Sequence, residues 1–173
     1  ENMHCARLFA IGLDAKTQLF ASLSNEAYKE VRKVCISTIL HTDNAHHFQM
    51  VKDISRVYEL YSELCEAQAD SAPSFSTKYV AEVLKKDSIL WLKLFLHLAD
   101  VSNPMKPFKV CKAWAWRVLD EFFAQGDEEK TLGIPVGMLN DRDKTNRPGS
   151  QHGFIHFLVN PFLQGSVKIF PML

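Results

Sequence analysis

The sequence predicts an all-α fold, a compact helical bundle. Apolar residues recur at helical spacing along nearly the whole chain. No segment alternates apolar and polar residues between turn signals, as a strand pair would. Pro, Gly and Asn clusters fall between the periodic stretches. With 173 residues, 47% of them hydrophobic, the chain is long enough to form one domain. A domain of this size buries roughly two-thirds of its unfolded surface.

Taken in order, Ser24 caps a helix running towards Leu40, with Val31, Val34, Cys35 and Ile39 on one face. Thr42 or Asp43 caps the next, which continues through Phe48, Val51, Ile54 and Val57. Residues 68–76, Gln-Ala-Asp-Ser-Ala-Pro-Ser-Phe-Ser, read as a polar connector. A buried helix from about Ser88 carries Ile89, Leu92, Phe95 and Leu96 up to Asp100. Pro104 and Pro107 punctuate, and a helix of about four turns then reaches Gln125, with Gly126 as its stop. Val110, Trp114, Val118 and Phe122 recur at every fourth position of that helix and form one stripe, expected to pack in the core. Gly133 is the next breaker. Residues 134–149, rich in Asn, Asp, Pro and Gly, read as a lid or binding loop, and a last helical stretch starts near Ser150.

Twenty basic and twenty acidic side chains leave no net charge. The chain therefore carries neither the basic footprint of a nucleic-acid binder nor a polybasic patch for anionic lipid, and its expected partner is a small molecule. Cys5, Cys35, Cys65 and Cys111 form no C-x-x-C pair and read as reduced, mostly buried thiols of a cytoplasmic protein. No stretch of these residues reads as a signal peptide or as a long uncharged apolar run, and the abrupt opening reads as a piece of something larger.

Two places carry chemistry. Asp100 stands at the C-terminus of its helix, where the helix dipole already concentrates negative charge. Either a cation such as a metal ion compensates, or Asp100 or Asn103 accepts a backbone N–H in an Asx-type turn before Pro104. Downstream, Gln151 and Phe154 are spaced i, i+3, so the amide and the ring project on the same side. A glutamine amide offers two donors and an acceptor to a heterocycle edge, and a purine would fit between Phe154 and Val118, with Phe122 one turn beyond. The plain alternative makes Gln151 a surface residue and the aromatic stripe ordinary core.

Over essentially the whole chain these blocks resemble the C-terminal half of a class I 3',5'-cyclic nucleotide phosphodiesterase catalytic domain. The matching motifs are Glu1-Asn-x-His4, Ile39-Leu-His-Thr-Asp43 with His47-Phe48, and Leu98-Ala-Asp-Val-Ser-Asn-Pro104. They continue with Trp114, Glu121-Phe-Phe-Ala-Gln-Gly-Asp127 and Ser150-Gln-His-Gly-Phe-Ile155, followed by Pro161. Two departures stand out: Met3 sits where a histidine is common, and Val118 is smaller than the isoleucine or leucine often found there.

The resemblance implies hydrolysis of cAMP or cGMP to 5'-monophosphates by a hydroxide activated between two metal ions, in signal transduction. It implies zinc at the first site, with Asp100 as one ligand and as part of the substrate site. It implies magnesium or manganese at the second, with Glu1 and Thr42 holding waters around it. Gln151 would bind the purine, Phe154 and Val118 would clamp it, and Asn103, Phe122 and Leu139 would line the pocket, with Trp114 as a buried support. The general-acid histidine and the other metal ligands are expected upstream, so residues 1–173 would be a partial catalytic domain, truncated at the N-terminal side and also early at its end. His41, His46, His47, His97, His152 and His156 fall outside the family's ligand blocks and read as structural or surface residues. The other readings are a non-catalytic helical nucleotide-binding or regulatory domain, and a purely structural interaction module.

Overall fold

In the structure, a computed structural model, residues 1–69 and 74–173 are described, and every regular element among them is helical. The order is α1 (Asn2–Gly12), α2 (Asn25–Leu40), a 3-10 turn (Asn44–His46), α3 (His47–Leu60), α4 (Ser62–Ala69) and α5 (Thr77–Tyr79), which runs into a π turn (Val80–Leu84). Then come α6 (Ser88–Asp100), a 3-10 turn (Asn103–Met105), α7 (Phe108–Leu132), α8 (Arg147–Gly153) with its π extension (Phe154–Val159), and α9 (Asn160–Ile169). The chain divides into two compact units, Glu1–Asp100 with Gln164–Leu173, and Val101–Leu163.

In the first unit, Ser24 caps α2 as expected, its hydroxyl oxygen accepting the Ala27 N–H at 3.2 Å. Asp43, the alternative to Thr42, takes the next cap: its carboxylate accepts the Ala45 N–H at 2.9 Å and opens the 3-10 turn ahead of α3. Of the residues read on α3, Ile54 and Val57 are buried beside Met50 and His47, whereas Phe48 is 58% exposed. The connector starts later than its composition suggests. Gln68 belongs to α4, is buried, and clasps the chain ahead, donating to the Ser74 carbonyl and accepting the Ser76 N–H, both at 2.9 Å. Asp70, Ser71, Ala72 and Pro73 lie outside the described residues.

Helix α6 has the predicted span but turns the other way. Its buried face is Trp91, Leu94, His97 and Leu98, whereas Ile89, Leu92, Phe95 and Leu96 are 39–46% exposed. A segment apolar on nearly every side offers no polar stripe to mark the outside, so its periodicity fixes the helix and not its rotation. Phe170 closes this core, with its ring edge on Trp91 at 5.4 Å, and the Tyr79 hydroxyl donates to the Ile169 carbonyl at 2.7 Å.

Two core histidines face each other: Nδ1 of His47 lies 2.9 Å from Nε2 of His97, so one nitrogen donates and the other accepts. Burial pushes the His97 imidazole below its ordinary value of 6.5, the neighbouring His47 adds to that, and Asp100 partly offsets it. The unfolded chain therefore takes up a proton that the folded one refuses, and stability should fall as pH drops through about 6.5. Melting temperatures taken at pH about 7.5 and about 5.5 should show this drop, and His97→Gln should flatten it. Equal slopes in the two proteins would remove the histidine pair as its cause.

In the second unit, α7 runs straight through Gly126 and ends at Gly133, whose φ of 69° supplies the left-handed C-cap. Gly126 was expected to stop the helix; instead it is buried, and a Cβ there would overlap the Asn140 carbonyl oxygen. The buried stripe of α7 is Ala115, Leu119, Phe123 and Gly126, one position on from the expected one. Val110 is 43% and Trp114 49% exposed, so Trp114 is not a buried support; the guanidinium of Arg117 lies over its ring. Small residues carry half of the true stripe, and they weigh little in a count of apolar side chains. Helix α8 starts three residues before Ser150, because Asn146 caps it by accepting the Gly149 N–H at 2.7 Å and Pro148 sits in its first turn. All four cysteines are free, but only Cys65 is fully buried.

Candidate functional site

The second unit holds a narrow slot of about 100 Å3 that brings together Asn103, Val118, Phe122, Leu139, Gln151 and Phe154, all expected to line one pocket. Ala115, Leu119 and Ser150 complete it. The geometry follows from helical register. Val118 and Phe122 stand one turn apart on α7, and Gln151 and Phe154 one turn apart where α8 passes into its π extension. Asn103 opens the 3-10 turn before Pro104, and its side-chain oxygen lies 3.4 Å from Nε2 of Gln151. The same nitrogen is 3.9 Å from the Cys111 sulfur. Both amide hydrogens thus have acceptors within the unit, and the amide oxygen remains for a ligand. An amide between a ring and aliphatic walls suits the edge and faces of a flat heterocycle.

Leu139 comes from the loop that the sequence reading assigned to the pocket border. That loop is fastened to the end of α7. The Glu129 carboxylate accepts the Gly137 N–H at 2.9 Å and the Asn140 amide at 3.1 and 3.2 Å. Lys130 pairs with Asp141 at 2.8 Å and Asp143 at 3.1 Å, and Arg142 pairs with Asp127. Sequence reasoning singled out none of Glu129, Lys130 and Asp141. The signal was a run of mixed charge, Asp127-Glu-Glu-Lys130, facing a second across the loop, Asp141-Arg-Asp-Lys144.

The Lys130 ammonium, with the Asp143 N–H, holds the Asp141 carboxyl at about 2, below its ordinary 3.8. A depressed carboxylate stabilises the fold above its ordinary value, and that contribution is lost as pH falls from 3.8 towards about 2. Lys130→Met should move the Asp141 carboxyl back up, read as the carbon-13 titration of that side chain. An unchanged titration would mean that the pair does not hold the loop.

The first unit has its own hollow, of about 460 Å3, lined by Glu1, His4, Thr42, Asp43 and Asp100 among others. Asp100 is exposed, and its carboxylate makes no hydrogen bond or ion pair with any described residue. The Asx-type alternative is not formed. Backbone groups close the turn instead, Met105 N–H to the Ser102 carbonyl at 2.9 Å, and the Asn103 side chain faces Gln151. Asp43 is occupied by its cap, and the Thr42 hydroxyl donates to the Ile39 carbonyl at 2.9 Å. Among the described residues no three or more His, Cys, Asp or Glu side chains are grouped to hold a metal ion. The hollow is lined by Glu1, Thr42 and Asp100 together, and these residues by themselves do not make a zinc cage, which needs three or four protein ligands.

A family profile described as 3'5'-cyclic nucleotide phosphodiesterase matches residues 1–173, and the chain belongs to that family. Its similarity to the high affinity cGMP-specific 3',5'-cyclic phosphodiesterase 9A of Homo sapiens is 30% identity over 100% of this chain and 26% of that protein. The dual specificity calcium/calmodulin-dependent phosphodiesterase 1B of Bos taurus is 32% identical over 93% of this chain and 26% of its own length. The probable 3',5'-cyclic-AMP phosphodiesterase pde-4 of Caenorhabditis elegans is 31% identical over 95% and 23%. The crystal structure of the phosphodiesterase domain of Salpingoeca rosetta rhodopsin phosphodiesterase superimposes with a TM-score of 0.82 at 29% identity, over 99% of this chain and 48% of that one. The chain thus spans about a quarter of the length of these curated relatives. Among the described residues no helix is long and apolar enough to cross a membrane.

Proposed function

We propose that this chain is part of a cytosolic enzyme that hydrolyses 3',5'-cyclic nucleotides to 5'-monophosphates in signal transduction, and that its own contribution is the purine site. The observation that carries this reading is the slot in which the Gln151 amide stands beside Phe154 and Val118, in a chain of this family. Gln151 presents its oxygen to a base N–H, Phe154 and Val118 take the two faces of the ring, and Phe122 and Leu139 keep water from the edges. Adenine and guanine both offer such a donor, and the relatives' names span cGMP, cAMP and both, so the reading covers either nucleotide.

Asp100, with Glu1 and Thr42, is this chain's share of the zinc and the magnesium or manganese sites that the resemblance implies. The remaining ligands and the general acid come from the rest of the enzyme. Purified residues 1–173 are therefore expected to turn over neither cAMP nor cGMP, while the complete protein does. Enzyme-like turnover by the 173-residue chain alone, or none by the complete protein, would overturn the proposal. Phe154→Ala in the complete protein should weaken nucleotide binding by about 1–3 kcal/mol, the worth of one stacked base, measured as Kd by calorimetry. A structural module would show no such loss.

A further inference from the structure

Next to the slot, the second unit holds another cavity of about 450 Å3, within the usual size of small-molecule sites, and the purine reading uses only the Gln151 amide and the Cys111 sulfur of its lining. Ala115 and Gln151 line both spaces, whereas Cys111 lines only the larger one. Its walls are mostly apolar and stand partly open to solvent, with Phe108 77% and Trp116 40% exposed. Phe108 and Ile155 form two of them, and Trp116 forms a third whose position is fixed from outside. The Arg147 guanidinium lies 5.1 Å from the Trp116 ring centre, donates to the Trp116 carbonyl at 3.1 Å and pairs with Asp120. The Arg147 charge is thereby satisfied within the protein.

Lys106 and Lys112 also line this cavity, and neither forms an ion pair with any described residue. Lys130 and Lys144 of the same unit are, by contrast, paired with loop aspartates. An apolar cavity edged by two unneutralised ammonium groups is complementary to a flat apolar body carrying one acidic group. A ligand carrying several phosphates fits it less well than one with a single acidic group, because beyond the two ammonium groups the lining offers no guanidinium fork and one side-chain amide, too few donors for several phosphoryl oxygens.

We propose that this cavity is a second binding site, distinct from the purine slot, for a small aromatic monocarboxylate. The claim rests on the cavity's own lining and does not depend on the phosphodiesterase reading.

Titration calorimetry of the complete protein with 2-naphthoate, and with the neutral 2-naphthamide as reference, tests it. The acid should bind at one saturable site with Kd below about 1 mM, about fivefold tighter than the amide, the scale of exposed charge pairing. The double substitution Lys106→Ala, Lys112→Ala should bring the acid to the level of the amide and leave the amide unchanged. Lys109→Ala, on the same helix but outside the lining, should change neither. Cys111→Phe, which fills the space, should weaken both ligands by about tenfold or more. The proposal is overturned if the acid shows no saturable binding, if the double lysine variant binds the acid as tightly as the parent, or if folded Cys111→Phe does. The lysine pair lies on the surface and decides the matter even where Cys111→Phe fails to fold.

Discussion

On the proposed purine reading, replacing Gln151 by alanine in the complete protein is expected to raise KM for cyclic nucleotide by roughly one to two orders of magnitude, the cost of leaving a buried base edge unpaired. The amide's nitrogen is within reach of two acceptors on its own unit, the Asn103 oxygen at 3.4 Å and the Cys111 sulfur at 3.9 Å, which leaves its oxygen for the base on the proposed reading. Preorganisation of this kind makes the loss fall on binding, and kcat should change less than KM. Gln151→Glu is the sharper variant. It keeps the acceptor and the volume but puts a carboxylate against the Asn103 oxygen, so it should lose nearly as much as alanine at neutral pH. Asn103→Ala, which frees the amide to rotate while keeping it, should lose less than either. Steady-state kinetics on the four proteins settles the order, and an unchanged KM in Gln151→Ala would sink the purine-slot reading.

The slot was legible in the sequence because it depends on short-range register. Gln151 with Phe154, and Val118 with Phe122, are pairs whose separation decides that they share a face, and the family motifs supplied which pairs matter. What was not legible depends on rotation and on long-range pairing. Helix α6 is apolar on nearly every side, so nothing local distinguishes Leu94, which is buried, from Leu92, which is 46% exposed. On α7 the buried stripe uses Ala115 and Gly126, residues with little side chain to count. The anchoring of the loop by Glu129 and Lys130 pairs residues 8 to 13 positions apart, beyond any helical period. Asn146, by contrast, announced the start of α8 three residues early, and a stricter reading of the capping signal would have found it.

Gly126→Ala is expected to destabilise the fold even though alanine is the better helix former by about 1 kcal/mol. The reason is where the new methyl group would go. A Cβ at Gly126 overlaps the Asn140 carbonyl oxygen and its carbon, which are backbone atoms and do not turn aside as a side chain would. Relief requires shifting either α7 or the loop, and the loop is held on both sides of Asn140 by Glu129 and Lys130. Overpacking of this kind costs about 1–3 kcal/mol or more, so the net change should still be unfavourable. Gly133→Ala is the matched comparison. Its methyl group would meet nothing within 4 Å, and its cost comes from the φ of 69° alone, about 1 kcal/mol. Denaturant unfolding should therefore rank Gly126→Ala below Gly133→Ala. The two should also differ in kind: the first displaces the segment that brings Leu139 to the slot and so weakens nucleotide binding, whereas the second frays only the end of α7. Should Gly126→Ala prove as stable as the parent and bind nucleotide unchanged, the close approach of helix and loop is not what seats Leu139.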